Sequence, residues 1–261
     1  NQSNNGKCHG LEKGDEKKTE REEIELKIAM IPPDSWLSTK TDLHFVLAQR
    51  CLQSEVYKNF YAKQNKFKIL DHGIYESDLM EFEDTMTIAD DISADEVILP
   101  DEIRVRSTKE FYEDLLGSLP KNYRYMVVPQ GEDPMEWRES YLELKDLDVN
   151  TIGIPIWLHK DFRARSTIVN YMFKKGELDM QKEHHLLGLD NYYELIEYPS
   201  GIIRSVDTSL PFSMDASDEA SKMFEEPPEH KRVSVDAALF DIPSLKLNEE
   251  LKMLRKVVKL V

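Results

Sequence analysis

The chain has 261 residues, of which 34 are Lys or Arg and 50 are Asp or Glu, giving a formal net charge of −16. This length fits one large domain or two small ones, and the 40% of hydrophobic residues is enough for a substantial core. No apolar run approaches the roughly 20 residues that a membrane span needs, and no charged-then-apolar leader opens the chain. The acidic excess argues against a protein that coats nucleic acid, because such a surface must neutralise phosphates.

Two cysteines, Cys8 and Cys51, are too few for a disulfide framework or for a thiolate zinc site. A reducing, cytoplasmic compartment is therefore expected. The adjacent His184 and His185 are interpreted as structural residues, and we expect neither a metal ion nor a cofactor.

Residues 1–22 are almost entirely polar or charged and carry no apolar periodicity, so they are predicted to form a flexible, disordered arm. The remainder of the chain, 23–261, is predicted to form a single domain. Within it, short runs of apolar or β-branched residues alternate with longer stretches of helical period. The predicted strands are 26–31, 67–70, 97–99, 125–128, 151–154, 185–187 and 202–206. The predicted helices are 51–63, 79–92, 108–116, 134–144, 162–174 and 192–197.

Strands that are each followed by a helix indicate βα units and a parallel sheet. Seven such strands, with an eighth at 232–235, favour a closed (β/α)8 TIM-like barrel, and an open doubly wound sheet is the alternative. Residues 211–229 read as a loop or lid, and the apolar stripe in 245–260 predicts a final helix on the outside of the barrel.

In a parallel barrel the active site lies at the carboxyl ends of the strands. Three of the predicted strands lead into a carboxylate there, namely Asp71, Asp101 and Asp207. Two carboxylates that face one cleft can divide the labour of nucleophile and general acid, which suits cleavage of a glycosidic bond. A single Asp at such a position is more often a helix cap, so the prediction depends on the joint pattern.

Further polar residues and glycines follow the same strand ends. Gln130 could read the edge of a base, and His72 directly follows Asp71, which suits a substrate contact. Gly131, Gly153 and Gly188 would let the backbone approach a flat ligand. Lys160, Arg163 and Arg165 form a basic stretch, interpreted either as a contact to a phosphate backbone or as an ordinary solvated helix face.

Six segments around these strand ends, in their order along the chain, resemble motifs of the tRNA-guanine transglycosylases and of their phage and bacterial relatives that insert 7-deazaguanine bases into DNA. They cover somewhat more than half of the chain. The segments are ILDHGIYE at 69–76, ADEVILPDE at 94–102, VVPQGED at 127–133, NTIGIPI at 150–156, HHLLGLDNYYEL at 184–195 and IRSVDTSLPF at 203–212.

The resemblance implies that Asp207 attacks the anomeric carbon of the sugar and forms a covalent glycosyl-enzyme intermediate. It implies that Asp71 is the general acid and base, and that Asp101, Gln130 and the Gly153 backbone hold the purine. The family's tRNA enzymes carry a zinc ion on three Cys and one His, which this chain cannot supply, since it has no Cys beyond Cys51.

The sequence therefore predicts an enzyme that exchanges or cleaves the N-glycosidic bond of a purine or 7-deazapurine. Because the chain is short and acidic, DNA or a free nucleobase is expected as the partner rather than folded tRNA, in the cytoplasm of a bacterium or of a phage-infected host. A homodimer is left open. The alternatives are a hydrolytic N-glycosidase and an inactive barrel that binds a partner.

Overall fold

The structure, a computed structural model, describes residues 26–32, 41–72 and 80–210. Eight parallel strands close into a barrel in chain order, and helices connect them. The prediction of a (β/α)8 barrel is thus confirmed. The strands are β1 (Lys27–Met30), β2 (Leu43–Leu47), β3 (Lys68–Asp71), β4 (Glu96–Ile98), β5 (Arg124–Val127), β6 (Thr151–Pro155), β7 (Glu183–Leu187) and β8 (Ser205–Thr208).

One strand lies elsewhere than the sequence suggested. The eight described strands close the barrel, and the one among them that the sequence did not predict is β2, Leu43–Leu47. β2 escaped prediction because its apolar run LHFVL passes directly into the helix that starts at Ala48, with no Gly or Pro between them. The predicted arm 1–22, loop 211–229, strand 232–235 and helix 245–260 lie outside the described residues.

The helices follow the predicted ones closely, with one division. The predicted helix 51–63 is two helices that meet at Ser54, whose hydroxyl accepts a hydrogen bond from the Tyr57 amide at 3.2 Å. The predicted segment 192–197 is a 3-10 helix, Tyr192–Glu197. The α-helices are α1 (Ala48–Gln53), α2 (Glu55–Ala62), α3 (Phe82–Ile92), α4 (Lys109–Ser118), α5 (Pro134–Leu144), α6 (Trp157–Lys160) and α7 (Arg165–Lys175).

The strand registers define the geometry of the barrel. Following hydrogen-bonded partners around the wall from Ala29 leads back to β1 eight residues earlier, which is the shear of a TIM barrel. With this stagger, inward-facing residues of alternate strands fall into layers of four. From the amino-terminal end, the first layer is Leu43, Glu96, Thr151 and Ser205; the second is Ala29, Ile69, Met126 and His185; the third is Phe45, Ile98, Gly153 and Asp207; the fourth is Ile31, Asp71, Val128 and Leu187.

The first layer contains Glu96 and takes part in an ionic network, and the second and third layers are mainly apolar. Arg204 reaches under the barrel and donates to Glu96 Oε2 at 2.7 Å, to Glu183 Oε2 at 2.6 Å and to Thr151 Oγ1 at 3.2 Å. Arg124 also pairs with Glu183. A closed set of charges therefore seals the amino-terminal end, while a larger apolar core fills the space between the strands and the helices.

Among the described residues, none of the helices combines the length and the apolar character needed to cross a bilayer.

Candidate active site

Asp71 and Asp207 both lie in the barrel interior at its carboxyl-terminal end, in the fourth and third layers respectively. They belong to β3 and β8, which are separated by β1 and β2 in the closed wall, a path of about 14 Å along the circumference. Strand alternation directs both side chains inward, so the two carboxylates share the barrel mouth, which we define as the third and fourth layers and the loops that follow the strands.

Asp207 is held at one oxygen only. Its Oδ1 accepts a hydrogen bond from the Gly188 amide at 2.8 Å and lies 3.1 Å from His185 Nε2. Its Oδ2 accepts no hydrogen bond from any residue in the described ranges. The side chain is 5% exposed. Within the described part of the chain, this carboxylate is therefore held through one of its two oxygens.

His72 points away from the mouth. Its Nδ1 lies 2.8 Å from the hydroxyl of Thr85, a buried residue of α3, and its ring edge contacts Phe82. Because consecutive strand residues face opposite sides, Asp71 faces inward and His72 lies between β3 and α3. Burial lowers the pKa of His72, so the ring is neutral at pH 7. This position does not fit the predicted substrate contact.

Asp101 lies in the loop after β4, and its carboxyl group is hydrogen-bonded by Gln130. The Gln130 amide nitrogen donates to Asp101 Oδ2, while its oxygen accepts from Trp157 Nε1 at 2.9 Å and from the Arg104 amide at 3.1 Å. Burial raises the pKa of Asp101 from its ordinary 3.8 to about 7. Gln130 thus orients a carboxyl group that is partly protonated at neutral pH and can donate a hydrogen bond.

Each of the three predicted site glycines is required at its position for a different structural reason. A Cβ at Gly131 would lie 2.6 Å from the backbone nitrogen of Trp137, so this glycine lets the loop pack against α5. A Cβ at Gly153 would lie 2.9 Å from side-chain atoms of Leu187 and of Val128 in the interior. Gly188 has φ +70, and this left-handed conformation accompanies the hydrogen bond from its N–H to Asp207.

Arg165 is a buried structural residue. It has no exposed surface, and its Nε and Nη2 donate to the two oxygens of Glu194 at 2.6 Å each. It also donates to the carbonyls of Leu187 at 3.0 Å and Gly188 at 2.9 Å. The predicted phosphate contact does not fit this placement, because the guanidinium is wholly occupied inside the protein. Lys160 and Arg163 are exposed next to the mouth, where a phosphate could reach them.

Within the described ranges, one cluster has the composition of a metal site: His159, Asp190 and Glu194. The two ring nitrogens of His159 face different carboxylates, with Nε2 3.5 Å from Asp190 Oδ1 and Nδ1 3.5 Å from Glu194 Oε2. Both Glu194 oxygens are bound by Arg165, and Arg163 Nη1 lies 3.2 Å from His159 Nε2. Two guanidinium groups at this position oppose a divalent cation, so the cluster fits an ion-pair network better.

Two features of the site were not predicted from the sequence. His185 was interpreted as structural, although strand alternation places it on the same inward face as Leu187 and could have identified it. The hydrogen bonds from Arg104 and Trp157 to Gln130 had no sequence signal, because these residues are far apart along the chain and lie in loops or short helices.

Comparison with protein-family models finds no match to this sequence, and comparison with curated proteins finds none either.

Proposed function

We propose that this protein exchanges or cleaves the N-glycosidic bond of a purine or 7-deazapurine in nucleic acid, with Asp207 as the nucleophile. The observation that carries the proposal is the state of Asp207 inside the closed barrel: the Gly188 amide and His185 Nε2 contact Oδ1, and no group among the described residues binds Oδ2. The second carboxylate, Asp71, lies about one layer above it in the same mouth.

In the first step, Asp207 Oδ2 forms a bond to C1′ of the sugar as the bond from C1′ to the base nitrogen breaks. The electron pair of that bond leaves with the base, and Asp71 donates a proton to the departing nitrogen. In the second step, the incoming base attacks C1′ and transfers its proton to Asp71, and Asp207 leaves as a carboxylate. Two displacements at one carbon retain its configuration.

Asp101 supports recognition of the heterocycle in this scheme. With a pKa of about 7, its carboxyl group can donate to a ring nitrogen or accept from a ring N–H. Gln130 fixes its orientation, and Trp157 and Arg104 fix Gln130. Such an exchange needs the base to be held at its polar edge while Asp207 attacks C1′ from the opposite face of the sugar.

DNA is proposed as the substrate because the chain is acidic, with a net charge of −16, and so favours a focused contact over a wide basic surface. Lys160 and Arg163, exposed beside the mouth, are the proposed phosphate contacts. Arg165 is not proposed as a phosphate contact, because its guanidinium is buried against Glu194.

The test is incubation with DNA or RNA oligonucleotides and labelled guanine or 7-deazaguanine. We expect the wild-type protein to incorporate label into DNA and to form an adduct that denaturation traps. Asp207→Asn should form no adduct, and Asp71→Asn should form it slowly, because the leaving base is not protonated.

Release of free base without incorporation would identify a hydrolytic N-glycosidase, in which water resolves the same Asp207 adduct. The proposal fails if exchange, release and adduct are all absent, or if Asp207→Asn behaves as the wild type. The binding-protein alternative would then remain.

A further inference from the structure

A column of hydrogen bonds runs along the barrel interior from the ionic first layer to Asp207. Arg204, paired with Glu96 below, donates through Nε to Ser205 Oγ at 3.0 Å. Ser205 Oγ lies 2.7 Å from His185 Nδ1, and His185 Nε2 lies 3.1 Å from Asp207 Oδ1. Each polar group of the second and third layers is a member of this column, and apolar residues surround it.

The column permits one arrangement of protons. Arg204 can only donate, so Ser205 Oγ accepts from it and directs its own hydrogen to His185 Nδ1. The imidazole hydrogen then lies on Nε2 and is donated to Asp207 Oδ1. The other tautomer would set the Nε2 lone pair against the carboxylate oxygen and leave the Ser205 hydrogen without an acceptor among the described residues.

His185 is also fixed in position and charge. Its ring stacks on Phe45 with an interplanar angle of 6° and a centroid distance of 5.6 Å. Burial lowers the pKa of His185, so the ring is neutral and the donor to Asp207 does not neutralise the nucleophile as an imidazolium would.

We propose that His185 is the positioning residue of the nucleophile: as a neutral Nε2–H donor fixed by Ser205, it holds Asp207 Oδ1 together with the Gly188 amide and thereby aims Oδ2 at the sugar carbon. The inference rests on the proposed role of Asp207. In the covalent intermediate Oδ1 becomes the ester carbonyl oxygen. When the incoming base displaces the ester, the two donors stabilise the carboxylate that leaves.

Three substitutions separate the donor from the packing. His185→Phe keeps an aromatic ring against Phe45 and removes the donor. His185→Gln and His185→Asn both replace the ring by an amide, but only the longer Gln can reach the position of Nε2 and donate to Asp207. The pair Gln and Asn is therefore matched in polarity and in the loss of stacking.

The measurements are the rate of adduct formation and the kcat and KM for base exchange on a DNA oligonucleotide, with urea unfolding to establish that each variant folds. We expect His185→Phe and His185→Asn to lower kcat about 100-fold with little change in KM, because a misaimed nucleophile reacts slowly on a substrate that still binds. His185→Gln should recover most of this loss, to within about tenfold of wild type.

Equal kcat values for folded Gln and Asn variants would overturn the inference, as would a His185→Phe protein with the wild-type rate. If His185→Phe does not fold, the comparison of Gln with Asn decides alone. An active Asp207→Asn protein would instead refute the proposed function, so the two failures are distinguishable.

Discussion

The two ends of the barrel use charge in opposite ways. At the amino-terminal end, Glu96, Glu183 and Arg204 satisfy one another in a closed network. At the mouth, groups of the described residues contact Asp207 at Oδ1 and none of them binds Oδ2. The contrast teaches that charge at one end of the barrel is used up in pairs within the protein, whereas charge at the other end is held by donors on one side and is suited to the chemistry proposed above.

The largest effect is expected from Arg204→Met, which removes the guanidinium that hydrogen-bonds buried Glu96 and leaves it with the longer ion pair to Arg124, at 3.6 Å. We expect a loss of about 3 kcal/mol in the free energy of unfolding, measured by urea denaturation. Arg106→Met, which removes the surface pairs to Glu139 and Glu143, should cost about 1 kcal/mol or less. If Asp207→Asn destabilised the protein as much as Arg204→Met, the proposed division between the two ends would be wrong.

A smaller loss is expected from Gly131→Ala. The added Cβ would meet the Trp137 backbone nitrogen at 2.6 Å and force α5 away from the loop, at a cost of about 2 kcal/mol. The control is Gly117→Ala in α4, where no atom lies within 4 Å of the new Cβ, and it should stabilise the protein by about 0.5 kcal/mol. Thermal unfolding of the pair measures both, and a neutral Gly131→Ala would mean that this glycine is free to serve the ligand instead.

The third prediction concerns the pH dependence of stability through Asp101. Its pKa is about 7 in the folded protein against an ordinary 3.8. Between about pH 4 and pH 7 the folded state therefore retains a proton that the unfolded state has already lost. The resulting stability is full below pH 4 and is lost as the pH rises through 7. At high pH the folded wild-type protein bears the cost of ionising the buried Asp101 carboxyl, and Asp101→Asn removes this cost. The free energy of unfolding of the variant should exceed that of wild type by about 1–2 kcal/mol at pH 8 and match it near pH 4.

Urea denaturation of both proteins at the two pH values gives the difference, in which contributions from other carboxylates cancel. A constant difference between pH 4 and pH 8 would show that Asp101 titrates normally and would remove its proposed role as a donor.

The smallest effect is expected at the surface of the mouth. Lys160→Ala should reduce the slope of log affinity for single-stranded DNA against log salt concentration by about 0.7, the value for one lost phosphate contact. Lys174→Ala makes the same change near the end of α7, at the opposite end of the barrel, and should leave the slope unchanged. Fluorescence anisotropy with a labelled oligonucleotide measures both slopes, and equal slopes would place the DNA elsewhere.

Much of the fold was predictable because it depends on local pattern. The helix at 134–144 was predicted at its observed bounds, since Asp133 and Pro134 form a strong start signal and the Asp133 carboxylate does accept from Met135 and Glu136. The strand-end rule also located Asp71 and Asp207 on the inner wall. β2 could not be separated from α1, because an uninterrupted apolar run has no period that distinguishes a buried strand from a buried helix.

Which residues of the basic stretch are exposed and which are buried was not predictable from the sequence. Arg163 and Arg165 are two residues apart and look alike in the sequence, yet one is exposed and the other pairs with Glu194 inside the protein. The same holds for Gln130, whose partners Asp101, Arg104 and Trp157 are more than twenty residues away. Such roles depend on which strand ends become neighbours in the closed wall.

Alternating strands and helices and the carboxylates that end the strands were legible in the sequence alone, because the polarity of neighbouring residues sets secondary structure and the barrel rule sets the reactive end. Closure of the barrel determined the rest. Its shear brings His185 of β7 between Ser205 and Asp207 of β8, so that a histidine whose alternation in the strand predicts only that it faces inward lies 3.1 Å from the Asp207 carboxylate. Only the register between strands, a long-range property, makes these three residues into one site.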